Sequence, residues 1–209
     1  MTQKCPLCST IGSTLYKTQK QHFYLCKNCK GIFLDKKFHL NKNEEKVRYY
    51  LHQNHINDHG YIKFADPIIS FVRDLFNSTH QGLDFGAGHT PVISEVLKRD
   101  GFQVDIFDPL FFNDTKVFNK KYDFITCCEV IEHFYNPKKE FELLHKMLKP
   151  NGKLICMTHI FNGIDFASWY YKTDPTHVFL YQEETLKWIK INLGFQDIII
   201  NNRLIIFTK

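Results

Sequence analysis

The sequence predicts an α/β protein, a doubly wound and mostly parallel sheet whose last strand runs antiparallel, with a small metal-stapled module at the N-terminus. Three observations carry this reading. From residue 64 onward, apolar runs of strand length alternate with segments of helical periodicity, as in a sheet covered by helices on both faces. The closing apolar runs, 195–200 and 204–207, are joined only by Asn201-Asn202-Arg203, too short a link for a parallel crossover, so they must pair antiparallel. Cys5-Pro6-Leu7-Cys8 and Cys26-Lys27-Asn28-Cys29 each offer two thiols from a tight turn.

The seventeen residues between the two cysteine pairs allow a hairpin, with Phe23-Tyr24-Leu25 entering the second turn and Gly31 reversing the chain beyond it. This spacing is that of a four-sulfur zinc site. A unit so small has little core of its own, so the metal would supply most of its folding free energy. Residues 1–35 are therefore read as a zinc ribbon with Cys5, Cys8, Cys26 and Cys29 as structural ligands. Residues 36–63 are polar, with helical potential at 44–50. His52, His55 and His59 lie there among Asn54, Asn57, Asp58 and Gly60, a composition that favours a linker or lid over a metal site.

Residues 64–209 form the third unit. Phe64, Ile68, Phe71, Val72, Leu75 and Phe76 fall at helical spacing, and 83–85 is the first strand. A helix core at 92–97 and a strand at 102–107, opened by Gly101, follow. The run 122–128 is apolar at nearly every position, as expected in the middle of a parallel sheet. Asn136-Pro137 opens a helix reaching Leu148, Pro150-Asn151-Gly152 stops it, and 153–157 is the next strand. A helix at 183–193 ends at Gly194, before the two closing strands.

The formal charge of +5 is unevenly placed. Residues 1–50 hold ten Lys and Arg against Asp35, Glu44 and Glu45, giving +7, and the remainder carries −2. A basic appendage of this kind is either a footprint for nucleic acid or another polyanion or a solvated lysine-rich surface, and the second reading is favoured. Seven cysteines without an export signal point to metal binding or reduced core thiols. No run reaches the roughly 18 apolar residues of a membrane span, so a cytoplasmic protein that does not engage membranes is expected.

The most informative stretch is Leu83-Asp84-Phe85-Gly86-Ala87-Gly88-His89-Thr90. A strand ends in an acidic residue and a G-x-G turn, after which a helix starts, the arrangement that presents backbone N–H groups to a nucleotide-type ligand. A nicotinamide fingerprint would need a third glycine where Pro91 stands, and no phosphate-binding G-x-x-x-x-G-K loop occurs. Asp108, 24 residues past Asp84, ends the next strand and can accept both hydroxyl protons of a ribose. Asp105 competes for that role, but Pro109 turns the chain directly after Asp108.

Leu83-Asp84-Phe85-Gly86-Ala87-Gly88, Asp108-Pro109, 122–133 (YDFITCCEVIEH) and Leu148-Lys149-Pro150-Asn151-Gly152 resemble, in order, the motifs of class I S-adenosylmethionine-dependent methyltransferases. With the ribbon, the chain is also similar to a group of small, ribbon-bearing bacterial methyltransferases. The resemblance implies a Rossmann-like sheet whose last strand inserts antiparallel. It places Asp84, Gly86 and Gly88 around the methionine part of S-adenosylmethionine, Asp108 on the ribose, and Cys128 and Glu129 along the site. Thr90 stands where the family has a third glycine, and the stretch 111–121 is short for a full strand-helix unit, which leaves the adenine contacts unassigned.

Methyl transfer is a displacement that needs alignment and removal of a proton. His133, after the strand end, and His177, in the turn-like Asp174-Pro175-Thr176-His177, are the candidate bases. Glu129, Glu132, His133 and His177 together resemble the divalent-metal site of small-RNA 2′-O-methyltransferases and some quinone-pathway O-methyltransferases. The expected acceptor is a small molecule, enclosed by aromatic residues such as Phe161, Phe166, Trp169, Tyr170 and Tyr171, with RNA second through the basic ribbon. The alternative is a non-catalytic zinc-ribbon adaptor whose methyltransferase-like domain only binds the cofactor.

Overall fold

The computed structural model describes residues 3–50, 58–163 and 165–209, so His52 and His55 lie outside the described residues. Two sheets organise the chain. The first begins with β1 (Gly12–Lys17), β2 (His22–Cys26) and β3 (Ile32–Leu34), an antiparallel meander whose β2 and β3 are mostly buried. After a 3-10 turn at Lys36–Phe38 come helix α1 (Lys42–Tyr50), which buries none of its residues, and helix α2 (His59–Leu75).

Helix α2 starts five residues before the first apolar position of its stripe. The reason is local: the Asp58 side chain accepts hydrogen bonds from Gly60 N and Tyr61 N, satisfying two of the N–H groups a helix start leaves unpaired. The stretch 36–63 is thus mostly structured among its described residues.

The second sheet is built from β4 (Gln81–Phe85), β5 (Gln103–Phe107), β6 (Tyr122–Cys128), β7 (Leu148–Met157), β9 (Asp197–Asn201) and β10 (Leu204–Thr208) in the order β5-β4-β6-β7-β10-β9. The pairs β4–β5, β4–β6 and β6–β7 are parallel, and β10 runs antiparallel between β7 and β9, as the short link at 201–203 requires. Helices α3 (Val92–Arg99), α4 (Pro137–Met147) and α5 (Glu183–Asn192) complete the α/β alternation. Pro150-Asn151-Gly152 does not precede β7 but lies within it: Asn151 adopts φ of 63°, and the β6–β7 register shifts between Tyr122 and Phe124. A left-handed residue of this kind makes a bulge that bends a strand without ending it. Residues 111–121 supply only a 3-10 turn at Thr115–Asn119, so β5 is an edge strand.

The chain departs to opposite sides of β4, to β5 and then to β6, so the switch point of the sheet lies at the carboxyl ends of β4 and β6. Ligands of open α/β sheets bind in the crevice that such a reversal leaves. The core splits accordingly. One cluster packs α2 and α3 on one face (Ile68, Val72, Val96, Leu97), and another packs α4 and α5 on the other (Phe141, Leu144, Leu186, Ile189). The ribbon is not a separate bead. A two-residue strand, β8 (Phe179–Leu180), comes from the body of the protein and pairs with β3 as Ile32↔Leu180 and Phe33↔Phe179, completing the first sheet. No helix among the described residues is long and apolar enough to cross a membrane.

Candidate active site

The glycine turn after β4 is held open by its backbone conformation. Gly86 has φ of +79°, and a Cβ there would sit 2.5 Å from Val130 Cγ2, so any side chain is excluded twice over. Gly86 N donates to Phe107 O at 2.8 Å, and Gly88 N donates to Asp108 Oδ2 at 3.0 Å. The other oxygen of Asp108 accepts from Leu110 N and Phe111 N. Asp108 therefore clamps the glycine turn to the end of β5 while lining the cavity described below. Asp105 points elsewhere, pairing with Lys120 at 2.7 Å and accepting from the Tyr122 hydroxyl.

Asp84 has a different place from the one the resemblance implied. Its carboxylate turns inward, accepting from Thr126 Oγ1 at 3.0 Å and from Ser94 N at 3.2 Å, and it does not line the cavity. Burial lifts its pKa to about 6, only partly offset by those two donors. Its role is to pin β4 to β6 and to the first turn of α3, which fixes the glycine turn from below.

Over this turn lies a cavity of about 690 Å³, within the usual range for small-molecule sites. The floor is the 85–90 turn, Phe107–Phe111, Cys128, Glu129 and Val130. Phe118, Phe134 and Leu143 give the cavity an apolar lobe, and Thr176 and His177 also line it. Helix α1 forms a roof through Lys42, Glu45 and Tyr49. It is tied down by Arg48 Nη2 to Asp174 Oδ2 at 2.7 Å and by the Tyr135 hydroxyl, which donates toward Leu40 O and Glu45. Burial alone would raise the Asp174 carboxyl, but donors from Thr176 and Arg48 outweigh it and hold the group well below the usual range.

Glu132, His133 and His177 bring one ligand atom each within 4.8 Å of one another, and both histidines line the cavity. Their arrangement follows from local geometry. A 3-10 turn at Ile131–His133 projects Glu132 inward, fully buried, with His133 beside it. Each imidazole gives its Nδ1 hydrogen to a carbonyl, His133 to Thr176 O at 2.9 Å and His177 to Tyr171 O at 2.7 Å. A carbonyl can only accept, so the Nε2 atoms carry the lone pairs. Backbone-oriented imidazoles of this kind are the usual outer support of metal-binding histidines. Glu132 Oε2 is buried without a hydrogen-bond partner among the described residues, while Oε1 accepts from the Tyr171 hydroxyl. Two imidazoles and one buried carboxylate make a donor set that a divalent first-row transition ion can take.

The electrostatics of the cluster are mutually adjusted. Burial raises the Glu132 carboxyl, opposed by His177 and the Tyr171 hydroxyl, and burial lowers His177, reinforced by His133. Glu129 stands apart from the trio. Arg203 Nη2 bonds its Oε1 at 2.7 Å and the Tyr171 hydroxyl lies 3.1 Å from its Oε2, so of the four residues the spacing had grouped, three share one point. Burial and the neighbouring Glu132 charge lift Glu129 to about 7 despite Arg203. Its backbone, at φ of 53°, lies in the left-handed region, the kind of strain that clusters at ligand sites.

The aromatic run 161–171 does not enclose the cavity. Phe161, Phe166 and Trp169 pack with Phe23, Ile32 and Leu34 beneath the ribbon, because the small sheet needs an apolar floor. Tyr171 alone reaches the carboxylates, and Tyr170 is exposed. Within the ribbon, Cys5 Sγ lies 3.5 Å from Cys29 Sγ, Cys8 Sγ lies 3.3 Å from Cys26 Sγ, and all four fall within 4.8 Å of each other. Such spacing fits four sulfurs around one ion at about 2.3 Å each. Residues that pattern reading missed are Arg48, Tyr49 and Arg203. Polar surface periodicity hides the first two, and the turn between β9 and β10 hides the third.

Comparison with known proteins agrees with this architecture. A family model described as a methyltransferase domain matches residues 54–199. The ubiquinone biosynthesis O-methyltransferase of Klebsiella pneumoniae is 29% identical over 86 residues, covering 41% of this chain and 36% of that protein. Its counterpart from Erwinia tasmaniensis is 29% identical over 89 residues, covering 43% and 36%. The match to these curated relatives thus spans little more than a third of their length. Among solved structures, an O-methyltransferase family protein from Burkholderia thailandensis superposes with a TM-score of 0.53 at 14% identity, over 87% of this chain and 64% of that one. A SAM-dependent methyltransferase from Archaeoglobus fulgidus gives 0.50 at 17% identity, over 71% and 99%. The chain belongs to the methyltransferase domain family and has the fold of the S-adenosylmethionine-dependent methyltransferases.

Proposed function

We propose that this protein transfers a methyl group from S-adenosylmethionine to a hydroxyl of a small acceptor, and that Glu132, His133 and His177 handle that hydroxyl. The observation that carries the proposal is the trio itself: two backbone-oriented imidazoles that line the cavity, each with a ligand atom within 4.8 Å of a buried carboxylate. The partial likeness to ubiquinone biosynthesis O-methyltransferases supports oxygen as the acceptor atom. S-adenosylmethionine supplies the methyl group. The glycine turn at 86–88 and Asp108 would hold its amino-acid and ribose parts, and the apolar lobe of Phe118, Phe134 and Leu143 suits a flat base.

The protein's own residues then align and deprotonate. Tyr171 orients Glu132 through its hydroxyl, the Thr176 carbonyl orients His133, and the Tyr171 carbonyl fixes the tautomer of His177, whose Nε2 can accept the acceptor's proton. Arg203 holds Glu129 at the rim of the trio. The same donor set fits a divalent cation, which when bound lowers the pKa of an acceptor hydroxyl. The Cys5, Cys8, Cys26 and Cys29 cluster would hold a structural zinc ion.

The test is transfer of radiolabelled methyl from S-adenosylmethionine to a panel of phenols and small alcohols and, in parallel, to short RNAs, with and without Mg²⁺. Label on a small hydroxyl compound, lost in Glu132→Gln, is the expected result. Label on RNA alone, falling steeply as salt rises, would replace the small acceptor with a polyanion.

A further inference from the structure

We propose that the N-terminal ribbon is a positioning element for the site, holding Glu132 and His177 in register through a backbone relay. The relay is short. Leu34 N, at the end of β3, donates to Val178 O at 2.9 Å, and Val178 N donates to Glu132 O at 3.0 Å. Val178 adjoins His177 and leads directly into β8, whose two residues pair with β3. Two of the three converging side chains are thus fixed by one residue, and that residue is hydrogen-bonded to the ribbon.

Independent contacts make the same connection. Gln21 Nε2 donates to Lys172 O at 2.9 Å, and Gln182 Nε2 donates to Lys30 O at 2.7 Å, so the 172–182 segment is tied to the ribbon at both ends. Lys30 and Gly31 directly follow Cys29. The ring of Phe179 lies so close to Gly31 that a Cβ there would meet it at 2.3 Å. The cysteine turns share one core with Phe179 and Tyr181, and the Tyr181 hydroxyl donates to Ile131 O at 2.8 Å, beside Glu132. A freely tethered nucleic-acid handle would need none of this. The ribbon spends its buried face on the loop that carries His177.

The inference predicts a split between the trio and the glycine turn. Disrupting the cysteine cluster should loosen Glu132 and His177 while leaving the glycine turn and Asp108, which hang on β4 and β5, unchanged. Loss of outer support of metal-binding residues typically weakens metal affinity about 10–100-fold. That figure rests on the cation reading of the trio, whereas the relay does not.

The experiment uses the full chain with Cys8→Ser/Cys26→Ser and, as a milder disruption, Gln21→Ala/Gln182→Ala. Three quantities are read: hydrogen exchange of peptides covering 130–134 and 172–181, Mn²⁺ affinity by electron paramagnetic resonance, and S-adenosylhomocysteine affinity by calorimetry. The expected result is faster exchange at 130–134 and 172–181, Mn²⁺ binding weakened about tenfold or more, and S-adenosylhomocysteine affinity within about twofold. Unchanged exchange in those two peptides overturns the proposal. If the wild type binds no Mn²⁺, the cation reading falls, and the exchange data still decide the relay. If the cysteine variant unfolds, the glutamine variant decides by the same exchange criterion.

Discussion

The two donor clusters of this molecule are built on opposite plans. The four cysteines of the turn-and-hairpin frame bring their sulfurs within 4.8 Å of one another, a set of four donors for one ion. Glu132, His133 and His177 bring three ligand atoms within 4.8 Å of one another, and the two histidines also line the cavity of about 690 Å³. A closed tetrahedral set stabilises a fold, whereas an open set leaves room for something to react. The contrast supports the proposed division between a structural cluster and a chemical one.

The sharpest way to break the contrast is to remove a donor from each cluster. Structural zinc contributes on the order of 10–16 kcal/mol to small metal-folded modules, so Cys5→Ser should lower the melting temperature by more than about 10 °C in calorimetry. Glu132→Gln, which keeps the side chain's size and shape, should leave melting nearly unchanged and should cut turnover by about 10²–10⁴-fold. If both variants lose stability equally, the two clusters are alike and the contrast fails.

Smaller effects sharpen it. Gly86→Ala puts a methyl against Val130 and a positive φ on a non-glycine residue, at about 1–3 kcal/mol, and it should weaken S-adenosylhomocysteine binding while sparing any Mn²⁺ bound at the trio. Asp84 titrates at about 6 when folded against 3.8 in the unfolded chain, so the folded state holds its proton more tightly. Stability from this group is therefore largest below pH 4 and declines by about 3 kcal/mol as pH rises through 6. Asp84→Asn should flatten that part of a denaturation-versus-pH curve. Arg48→Ala removes a partly exposed ion pair worth about 0–1 kcal/mol, and its expected signature is a modest rise in KM with kcat retained.

How much of this could be read in advance depends on the length of the signal. The α/β alternation, the antiparallel close and the paired cysteines are patterns spread over many residues, and the structure has all three. The glycine turn was legible because a G-x-G after a strand has few other uses. The two-residue β8 has no period to detect, so the merging of ribbon and body could not be seen. Asp84 sits in a motif position, yet its direction depends on Thr126 and Ser94, which lie 42 and 10 residues away. Glu129 was grouped with Glu132 by spacing, and Arg203, 74 residues distant, claims it instead. The aromatic run 161–171 looked like a pocket wall because composition cannot tell the lining of a cavity from the floor of a small sheet.

The most direct test of the central claim is a Mn²⁺ titration of the full chain, followed by electron paramagnetic resonance in the presence of saturating S-adenosylhomocysteine, on wild type and Glu132→Gln. The account predicts one tightly held Mn²⁺ per wild-type chain, lost in the variant, with S-adenosylhomocysteine bound equally by both. Mn²⁺ held equally well by the variant, or absent from a wild type that binds S-adenosylhomocysteine normally, would contradict the assignment of Glu132, His133 and His177 as an open metal centre.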